Sequence, residues 1–206
     1  MTQIFLVRHV ETVWNAESRM QGHLDSPLTH TGIAQAEALA EYFKSQRFAA
    51  FYSSDLGRAY ETMRHISEKN GLSFSTIACL REKNFGILQG VLKKELPVKF
   101  PEIYPHYKAN DPNYVIPEGE SIKQLSERCI KCLEELAQKH VDERILIVTH
   151  HGVLISLFKH TMDIPIEIRP RFNSSNSSIN VFSFQDGIWT LERLGDLSHL
   201  GMVQKG

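Results

Sequence analysis

The sequence predicts an α/β protein: a three-layer α/β/α sandwich with a mostly parallel sheet and an antiparallel C-terminal hairpin. Short apolar segments of strand length alternate with longer segments of helical periodicity. This alternation is typical of parallel sheets that are covered by helices on both faces. Two later strand-like segments, residues 179–184 and 188–194, are separated by Asp186-Gly187, a dipeptide that favours a tight hairpin.

The parallel strands are predicted at residues 3–7, 49–54, 72–78 and 144–150, which are rich in branched and aromatic side chains. Thr29 is predicted to cap the first long helix, and Gly71 is predicted to end the second. Ser121 and Gln124 match a capping box for a third helix. One face of that helix carries Ile122, Leu125, Cys129, Cys132, Leu133 and Leu136. We therefore interpret Cys129 and Cys132 as core residues rather than as a redox pair.

One long stretch departs from this alternation. It contains the prolines Pro97, Pro101, Pro105, Pro112 and Pro117. Because long irregular segments in compact domains are usually functional, we predict that residues of about 84–119 form a lid-like insertion over the active site. The whole chain, 1–206, is predicted to be one domain.

Composition excludes several classes of partner. The chain has 23 Lys and Arg against 24 Asp and Glu, a formal net charge of −1, so we expect neither nucleic-acid nor membrane binding. The longest early apolar run, residues 4–7, is too short for a signal peptide or a membrane span. Three cysteines, an odd number, do not indicate a secreted disulfide scaffold, and a cytoplasmic location is expected.

Polar residues follow several predicted strands. Arg8 and His9 follow the first strand, His150 stands at the end of the last parallel one, and Arg58 lies in the first turn of the helix after the second strand. Arg81 and Glu82 follow the third strand. Because the carboxyl ends of parallel strands share one edge, we expect two histidines, up to three arginines and a glutamate to meet there.

This set suits phosphoryl transfer. Arginine guanidinium groups bind phosphate oxygens bidentately, and they also lower the pKa of a nearby histidine, which must be neutral to act as a nucleophile. A glutamate can protonate a leaving oxygen and later accept a proton from water. No metal or other cofactor is needed for this chemistry.

Six segments occur in the order that is characteristic of one superfamily: LVRHVETVWN, MQGHLDSPLTHTG, FYSSDLGRAYET, LREKNFG, PEGES and ILIVTHHG. The chain thereby resembles the histidine phosphatase, or phosphoglycerate-mutase-like, superfamily, and is most similar to its compact bacterial-type broad-specificity phosphatases. The resemblance implies a metal-independent, acid-type phosphomonoesterase that acts on small phosphorylated metabolites through a phosphohistidine intermediate. It implies no cofactor.

The resemblance also implies the site residues. His9 would be the nucleophile and Glu82 the general acid and then base. Arg8, Arg58 and His150 would surround the phosphoryl group. Asn15, Gln21, Gly22 and His151 complete the expected phosphate- and substrate-binding set, and no metal ligand is expected.

Two residues depart from the pattern of the superfamily. Val10 stands where glycine usually follows the nucleophile, so the backbone there must avoid positive φ. His151 stands where glycine often follows the second histidine, and we assign the catalytic role to His150 because it directly follows the strand.

Several alternatives are open at this stage. Within the enzyme class these are a cofactor-dependent phosphoglycerate mutase and an α-ribazole-type phosphatase. From other classes they are an inactive phosphate-binding regulatory domain and a metal-dependent hydrolase with His9, His150, His151 and Glu82 as ligands. The sequence indicates neither the physiological substrate nor the oligomeric state.

Overall fold

The computed structural model describes residues 1–169 and 174–203. Its strands are β1 (Thr2–Arg8), β2 (Ala50–Ser53), β3 (Phe74–Thr76), β4 (Arg144–Thr149), β5 (Ile179–Gln185) and β6 (Ile188–Asp196). Its α-helices are α1 (Val13–Ala16), α2 (His30–Phe43), α3 (Gly57–Asn70), α4 (Leu96–Lys99), α5 (Tyr104–Ala109), α6 (Ile122–Lys139), α7 (His151–Thr161) and α8 (Leu200–Val203). Short 3₁₀ turns cover Ala78–Leu80, Gly86–Leu88 and Lys93–Glu95.

The six strands form one sheet in the order β3-β2-β4-β1-β5-β6. β1 to β4 are mutually parallel, whereas β5 runs antiparallel to β1 and β6 antiparallel to β5. The predicted fold class is therefore confirmed. β1 lies between β4 and β5, so the residues that follow it emerge near the middle of the sheet.

Alternation along β1 divides the core into two layers. Ile4 and Leu6 pack on one face of the sheet with the apolar sides of α6 and α7. Phe5 and Val7 pack on the opposite face with α2 and α3. Successive side chains of a strand point to opposite faces, so one short strand contributes to both cores.

The predicted helix ends and the hairpin turn are also confirmed. Thr29 accepts a hydrogen bond from Gly32 N, and Ser121 with Gln124 forms the capping box of α6. Gly71 ends α3 in the left-handed conformation. Asp186 and Gly187 both have positive φ, as a tight hairpin between strands requires.

Residues 84–119 carry four short helical segments and most of a third apolar cluster. This third cluster is built from Met20, Leu88, Leu96, Ile103 and Ile116. The cluster gives the insertion internal packing separate from the two main cores, and its action as a lid stays a prediction.

The cysteines are arranged differently from the prediction. Cys129 and Cys132 both lie on the buried face of α6, as expected. However, Cys132 forms a disulfide bond with Cys79, whereas Cys129 is a free buried thiol. The interpretation of Cys132 as a packing residue alone was therefore wrong, because the partner lies 53 residues away on a different element.

No helix in the described ranges combines the length and the apolar character that crossing a membrane requires.

Candidate active site

A cavity of about 700 Å³ opens at the carboxyl ends of β1 and β4. Its walls include eight of the nine residues that the sequence singled out: Arg8, His9, Asn15, Gln21, Gly22, Arg58, Glu82 and His151. The ninth, His150, lies behind His9, with 5.2 Å between the two ring centroids.

Two hydrogen bonds define the protonation of the His9 ring. Nδ1 lies 2.8 Å from the carbonyl oxygen of Val10, which can only accept, so Nδ1 carries the hydrogen. Nε2 lies 3.3 Å from Nε of Arg58, which can only donate, so Nε2 carries the lone pair. His9 is therefore held as one neutral tautomer, with its nucleophilic nitrogen beside a guanidinium group.

Electrostatics favour the neutral form of both histidines. Burial lowers the pKa of His9 well below its usual 6.5, and the Arg58 and Arg8 guanidinium groups lower it further. Burial and the Arg58 charge likewise lower the pKa of His150 well below 6.5. Both rings are almost entirely inaccessible to solvent, so desolvation is the leading cause.

Arg58 is held rigidly by the loop that follows Gly22. Nη1 donates to Leu24 O at 3.0 Å and to the Asp25 carboxylate at 2.7 Å, and Nη2 donates to Gly22 O at 2.8 Å. Asp25 also accepts from the backbone N–H of Gly57 at 2.7 Å and thereby caps α3, whose own N-cap residue, Leu56, forms no side-chain cap. The sequence analysis missed Asp25, because its partners are more than 30 residues away along the chain.

Arg8 has an unused donor in the cavity wall. Its Nη1 donates to the carbonyl oxygen of Ser174, but its buried Nε has no partner among the residues that the structure describes. Burial lowers the pKa of Arg8, the Glu82 charge opposes this effect, and Arg58 adds to it. An unpaired guanidinium N–H beside a second guanidinium group is an arrangement that an anion stabilises.

The amide of Asn15 is oriented by its neighbours. Its Oδ1 accepts from Thr12 N at 3.2 Å and from Asn176 Nδ2 at 3.2 Å. Because the oxygen is engaged, Nδ2 is the end of the amide that is left to donate to a ligand. Gln21 is arranged in the same way, with its Oε1 3.1 Å from the hydroxyl of Thr12.

Two features favour glycine at residue 22. Its φ is +60°, a conformation that side chains rarely adopt. A Cβ at this position would also lie 2.2 Å from Oε1 of Gln89. A larger residue would therefore adopt a strained backbone and displace the Gln89 side chain, next to the Gly22 carbonyl that holds Arg58.

Glu82 is held at the opposite side of the cavity by backbone donors. Its carboxylate accepts from Gly152 N at 3.0 and 3.2 Å and from Lys83 N at 2.8 Å. Gly152 lies in the first turn of α7, and a Cβ there would lie 2.2 Å from Oε1 of Glu82. The absence of a side chain at residue 152 is what lets the carboxylate approach the helix.

His150 and His151 have different environments. His150 is fully buried, its Nε2 lies 2.8 Å from Ser54 Oγ, and its Nδ1 has no partner within residues 1–169 and 174–203. His151 is the first residue of α7 and lines the cavity. The two residues therefore offer different contacts: a buried ring behind His9 and a ring in the cavity wall.

Up to three arginines were expected at this edge, and Arg81 is the one that lies elsewhere. Its guanidinium group forms a bidentate ion pair with Asp55, at 2.7 and 2.5 Å, and does not line the cavity. A 3₁₀ turn, Ala78–Leu80, separates β3 from Arg81 and removes it from the strand end. Of the arginines expected at this edge, Arg8 and Arg58 line the cavity.

Val10 has the conformation that the sequence predicted. It is absent from the residues with positive φ, it is fully buried in the core cluster on the α2–α3 face, and its N–H donates to Thr62 Oγ1 at 3.2 Å. Its carbonyl is the acceptor for His9 Nδ1. Valine is thus accommodated by packing rather than by a change of loop geometry.

A turn at 174–178 supports the nucleophile from a distant part of the chain. Asn176 Nδ2 donates to His9 O at 2.9 Å, and Ser177 N donates to Arg8 O at 3.1 Å. Ser177 makes this contact with a positive φ of 61°. These residues carry no sequence signal of their own, and the sequence analysis missed them.

Within residues 1–169 and 174–203, no three His, Cys, Asp or Glu side chains are grouped as they would be to hold a metal ion. The arrangement instead offers a neutral imidazole nitrogen, two guanidinium groups, oriented amides and one carboxylate. This combination can bind a phosphoryl dianion, attack it and exchange a proton with its ester oxygen.

Comparisons with known proteins agree with this chemistry. Residues 4–197 match the histidine phosphatase superfamily (branch 1). Two Arabidopsis thaliana proteins are similar over nearly the whole chain. Phosphoglycerate mutase-like protein 4 is 41% identical, covering 99% of this chain and 90% of the relative. Metal-independent phosphoserine phosphatase is 38% identical, covering 100% and 87%.

A solved structure, Bacillus stearothermophilus YhfR, superimposes with a TM-score of 0.90 at 30% identity and covers 97% of this chain and 100% of its own. The overall fold is thus shared with a protein of nearly the same length. The chain belongs to the histidine phosphatase superfamily.

Proposed function

We propose that this protein hydrolyses small phosphate monoesters through a phosphohistidine formed on Nε2 of His9. A phosphohistidine mechanism is typical of the superfamily, and one relative is a metal-independent phosphoserine phosphatase. The observation that carries the proposal is the His9 ring, neutral and held in one tautomer by Val10 O and Arg58 Nε. Simple anion binding would require neither this tautomer nor a carboxylate on the opposite wall.

In the first half-reaction, the phosphoryl group binds between Arg8, Arg58 and the Asn15 amide. The Nε2 lone pair of His9 attacks phosphorus, and the bond from phosphorus to the ester oxygen breaks. Glu82 donates its proton to that oxygen, and the alcohol leaves. The Nδ1 hydrogen stays on the ring, where the Val10 carbonyl stabilises the positive charge that develops.

In the second half-reaction, Glu82 accepts a proton from water as the water oxygen attacks phosphorus. The Nε2–P bond breaks, orthophosphate leaves, and both His9 and Glu82 return to their starting forms. The arginines hold the phosphoryl oxygens throughout, so catalysis rests on positioning and on charge stabilisation. His150, with its unpaired buried Nδ1, provides a further contact to the phosphoryl group in this scheme.

A mutase is the second candidate, because another relative is named phosphoglycerate mutase-like and Arg19 and Lys93 add positive charge to the cavity wall. The two reactions share the phosphohistidine and differ only in the acceptor. Incubation of 3-phosphoglycerate with its bisphosphorylated primer distinguishes them. Free phosphate supports the phosphatase, whereas 2-phosphoglycerate supports the mutase.

The mechanism is tested by trapping the phosphorylated form of the enzyme. Rapid denaturation in alkali after mixing with a ³²P-labelled monoester is expected to leave label on the wild-type chain, in an acid-labile form, and none on the His9→Ala variant. Equal labelling of both, or normal p-nitrophenyl phosphate hydrolysis by His9→Ala, overturns the assignment of His9. Loss of turnover with EDTA and its recovery with a divalent ion would instead favour the metal-dependent alternative.

A further inference from the structure

The proposed acid, Glu82, lies on a segment whose backbone is held by side chains from other elements. The carbonyl groups of residues 79–82, four in succession, accept hydrogen bonds from such side chains. Leu80 O accepts from the buried hydroxyl group of Thr149 at 2.8 Å. The other three carbonyl groups converge on one guanidinium group, that of Arg128 in α6. The backbone path that leads to Glu82 therefore depends on Arg128.

Arg128 contacts both of the peptide groups that flank the Cα of Glu82. Its Nη1 donates to Cys79 O at 2.7 Å and to Arg81 O at 3.1 Å, and its Nη2 lies 3.4 Å from Glu82 O. A guanidinium group is planar and presents its N–H donors in fixed directions, so acceptors that share one such group are held in a fixed arrangement. Because Arg81 O and Glu82 O belong to the peptide groups before and after the Glu82 Cα, Arg128 restricts the direction in which the Glu82 side chain leaves the backbone.

An ion pair with Glu120 orients Arg128 in turn. Nη2 of Arg128 donates to Oε1 of Glu120 at 2.7 Å, and Nε lies 3.4 Å from Oε2. Glu120 Oε1 also accepts from Asn84 N at 2.8 Å, and Glu120 N donates to Asn84 O at 3.0 Å. The side chains of Arg128 and Glu120 are only 26% and 16% exposed, so solvent screens this ion pair less than it would a surface pair. The pair thus holds the chain on both sides of residues 82 and 83.

Other contacts hold the neighbouring parts of this segment, and they show where Arg128 is needed. Cys79 is joined to α6 by its disulfide bond with Cys132, and the ring of His23 lies 2.9 Å from Glu82 O. Arg81 O has Arg128 as its one hydrogen-bond donor within residues 1–169 and 174–203. Loss of the guanidinium group therefore releases the peptide group that directly precedes Glu82, while Cys79 stays anchored.

We propose that Arg128 is a positioning residue, which holds the Glu82 carboxylate at the place where it meets the ester oxygen. Arg128 does not line the active-site cavity, so it acts through the backbone of Glu82 and not through contact with substrate. This inference rests on the proposed function, in which Glu82 protonates the leaving alcohol. A general acid has to lie within hydrogen-bond reach of the oxygen that it protonates, so a small rotation of the Glu82 backbone is enough to impair the transfer.

The kinetic test measures kcat/KM, which reports only the steps up to departure of the alcohol. Arg128→Gln is expected to lower kcat/KM about tenfold for an alkyl phosphate and less than twofold for p-nitrophenyl phosphate, whose leaving group needs no proton. Arg128→Lys, which keeps the charge, is expected to lose less than Arg128→Gln. Arg64→Gln removes a more exposed ion-paired arginine of α3 and is the matched control, with neither value changed. The Ki of vanadate should change less than twofold in all three variants, because the phosphoryl-binding residues are untouched.

A double variant shows whether the effect passes through Glu82. In a Glu82→Gln background there is no acidic proton to position, so Arg128→Gln is expected to lower kcat/KM for the alkyl phosphate less than twofold. An undiminished loss in that background, an equal loss for both esters in the single variant, or unchanged alkyl phosphate hydrolysis by Arg128→Gln would each overturn the proposal.

The position of Glu82 can also be observed without turnover, which separates this inference from the proposed function. The N–H of Gly152 donates to both oxygens of the Glu82 carboxylate, at 3.0 and 3.2 Å, so its proton resonance in an amide NMR spectrum reports that contact. Arg128→Gln is expected to move this resonance upfield, in the same direction as Glu82→Gln, whereas Arg64→Gln should leave it in place. An unchanged resonance in Arg128→Gln overturns the proposal even if the wild-type protein hydrolyses phosphate esters. An upfield shift in a protein that hydrolyses no ester would support the positioning by Arg128 and contradict the proposed function alone.

Discussion

The side-chain amide of Asn176 donates to the carbonyl oxygen of His9, at 2.9 Å. The same nitrogen lies 3.2 Å from Oδ1 of Asn15, so one group orients both the backbone of the proposed nucleophile and the amide that faces the phosphoryl site. The two residues are 167 positions apart. Asn176 is therefore a positioning residue, which acts through His9 and Asn15.

Asn176→Ala is expected to lower kcat/KM about tenfold, because Asn15 loses one of the donors that hold its oxygen and its Nδ2 then points less reliably at the phosphoryl group. Competitive inhibition by vanadate reports phosphoryl binding directly, and its Ki should rise by a similar factor. In an Asn15→Ala background the same change should raise the Ki less than twofold. An undiminished rise there would mean that Asn176 does not act through Asn15.

Gly152→Ala tests the approach of Glu82 to α7. The added Cβ would lie 2.2 Å from Oε1, so the carboxylate has to move away from the Gly152 N–H. Hydrolysis of alkyl phosphates, which need a proton at the leaving oxygen, should slow about 100-fold. Gly201→Ala adds a Cβ in open space and serves as the control. Unchanged alkyl phosphate hydrolysis by Gly152→Ala would mean that the carboxylate position is not critical.

The sequence predicts the place of a site residue well when that place depends on neighbouring residues in the chain. The strand-end positions of Arg8, His9 and His150 follow from apolar runs and the geometry of parallel sheets, and they were predicted correctly. The position of Arg81 was not predicted correctly. A single 3₁₀ turn places Arg81 beside Asp55, and a short turn of that kind has no distinct apolar pattern in the sequence.

The residues that hold the site residues in place could not be predicted from the sequence, for a different physical reason. Asp25, Gly152 and Asn176 act through contacts between segments that are 32 to 167 residues apart. Each contact depends on the backbone path of a loop or a helix end, to within a fraction of an ångström. An aspartate, a glycine or an asparagine in a loop is common in any sequence, so residue type alone could not identify them.

Glu82→Gln tests the proposed acid. The amide cannot donate an acidic proton to the ester oxygen, so the loss should be largest for leaving groups of high pKa. We expect alkyl phosphate hydrolysis to fall at least tenfold more than p-nitrophenyl phosphate hydrolysis. Initial rates across a series of aryl and alkyl esters provide the measurement. Equal losses across the series would argue against proton transfer from Glu82.

Val10→Gly restores the residue that commonly follows the nucleophile in the superfamily, and we expect it to be harmful here. Val10 is fully buried among core side chains, so removal of its side chain leaves a cavity. The free energy of unfolding should fall by about 2–4 kcal/mol, from lost burial and from the added freedom of glycine. Urea denaturation measures this change, provided that the slope of the free energy of unfolding against urea concentration is the same for both proteins. A variant as stable as wild type would contradict the packing argument.

The free energy of unfolding is expected to fall on mild acidification. The contribution of His199 to this fall can be measured separately. This ring is fully buried, its Nδ1 has no described partner, and its Nε2 lies 3.3 Å from Oγ of Ser177. Burial lowers its pKa from 6.5 to about 4, an effect that the Asp196 carboxylate opposes. The unfolded chain therefore binds the proton more tightly than the folded one, so stability is full above pH 6.5 and is lost as the pH falls toward 4.

Between pH 7.5 and 5 the loss from His199 should be about 1–2 kcal/mol. His199→Gln keeps a donor for Ser177 but cannot titrate, so its free energy of unfolding should depend less on pH by that amount. Urea denaturation of both proteins at the two pH values provides the comparison. Because His9 and His150 titrate in the same direction in both proteins, their contributions cancel in the difference. Identical pH dependence of the two proteins would show that the folded chain accepts a charged imidazole at residue 199 without cost.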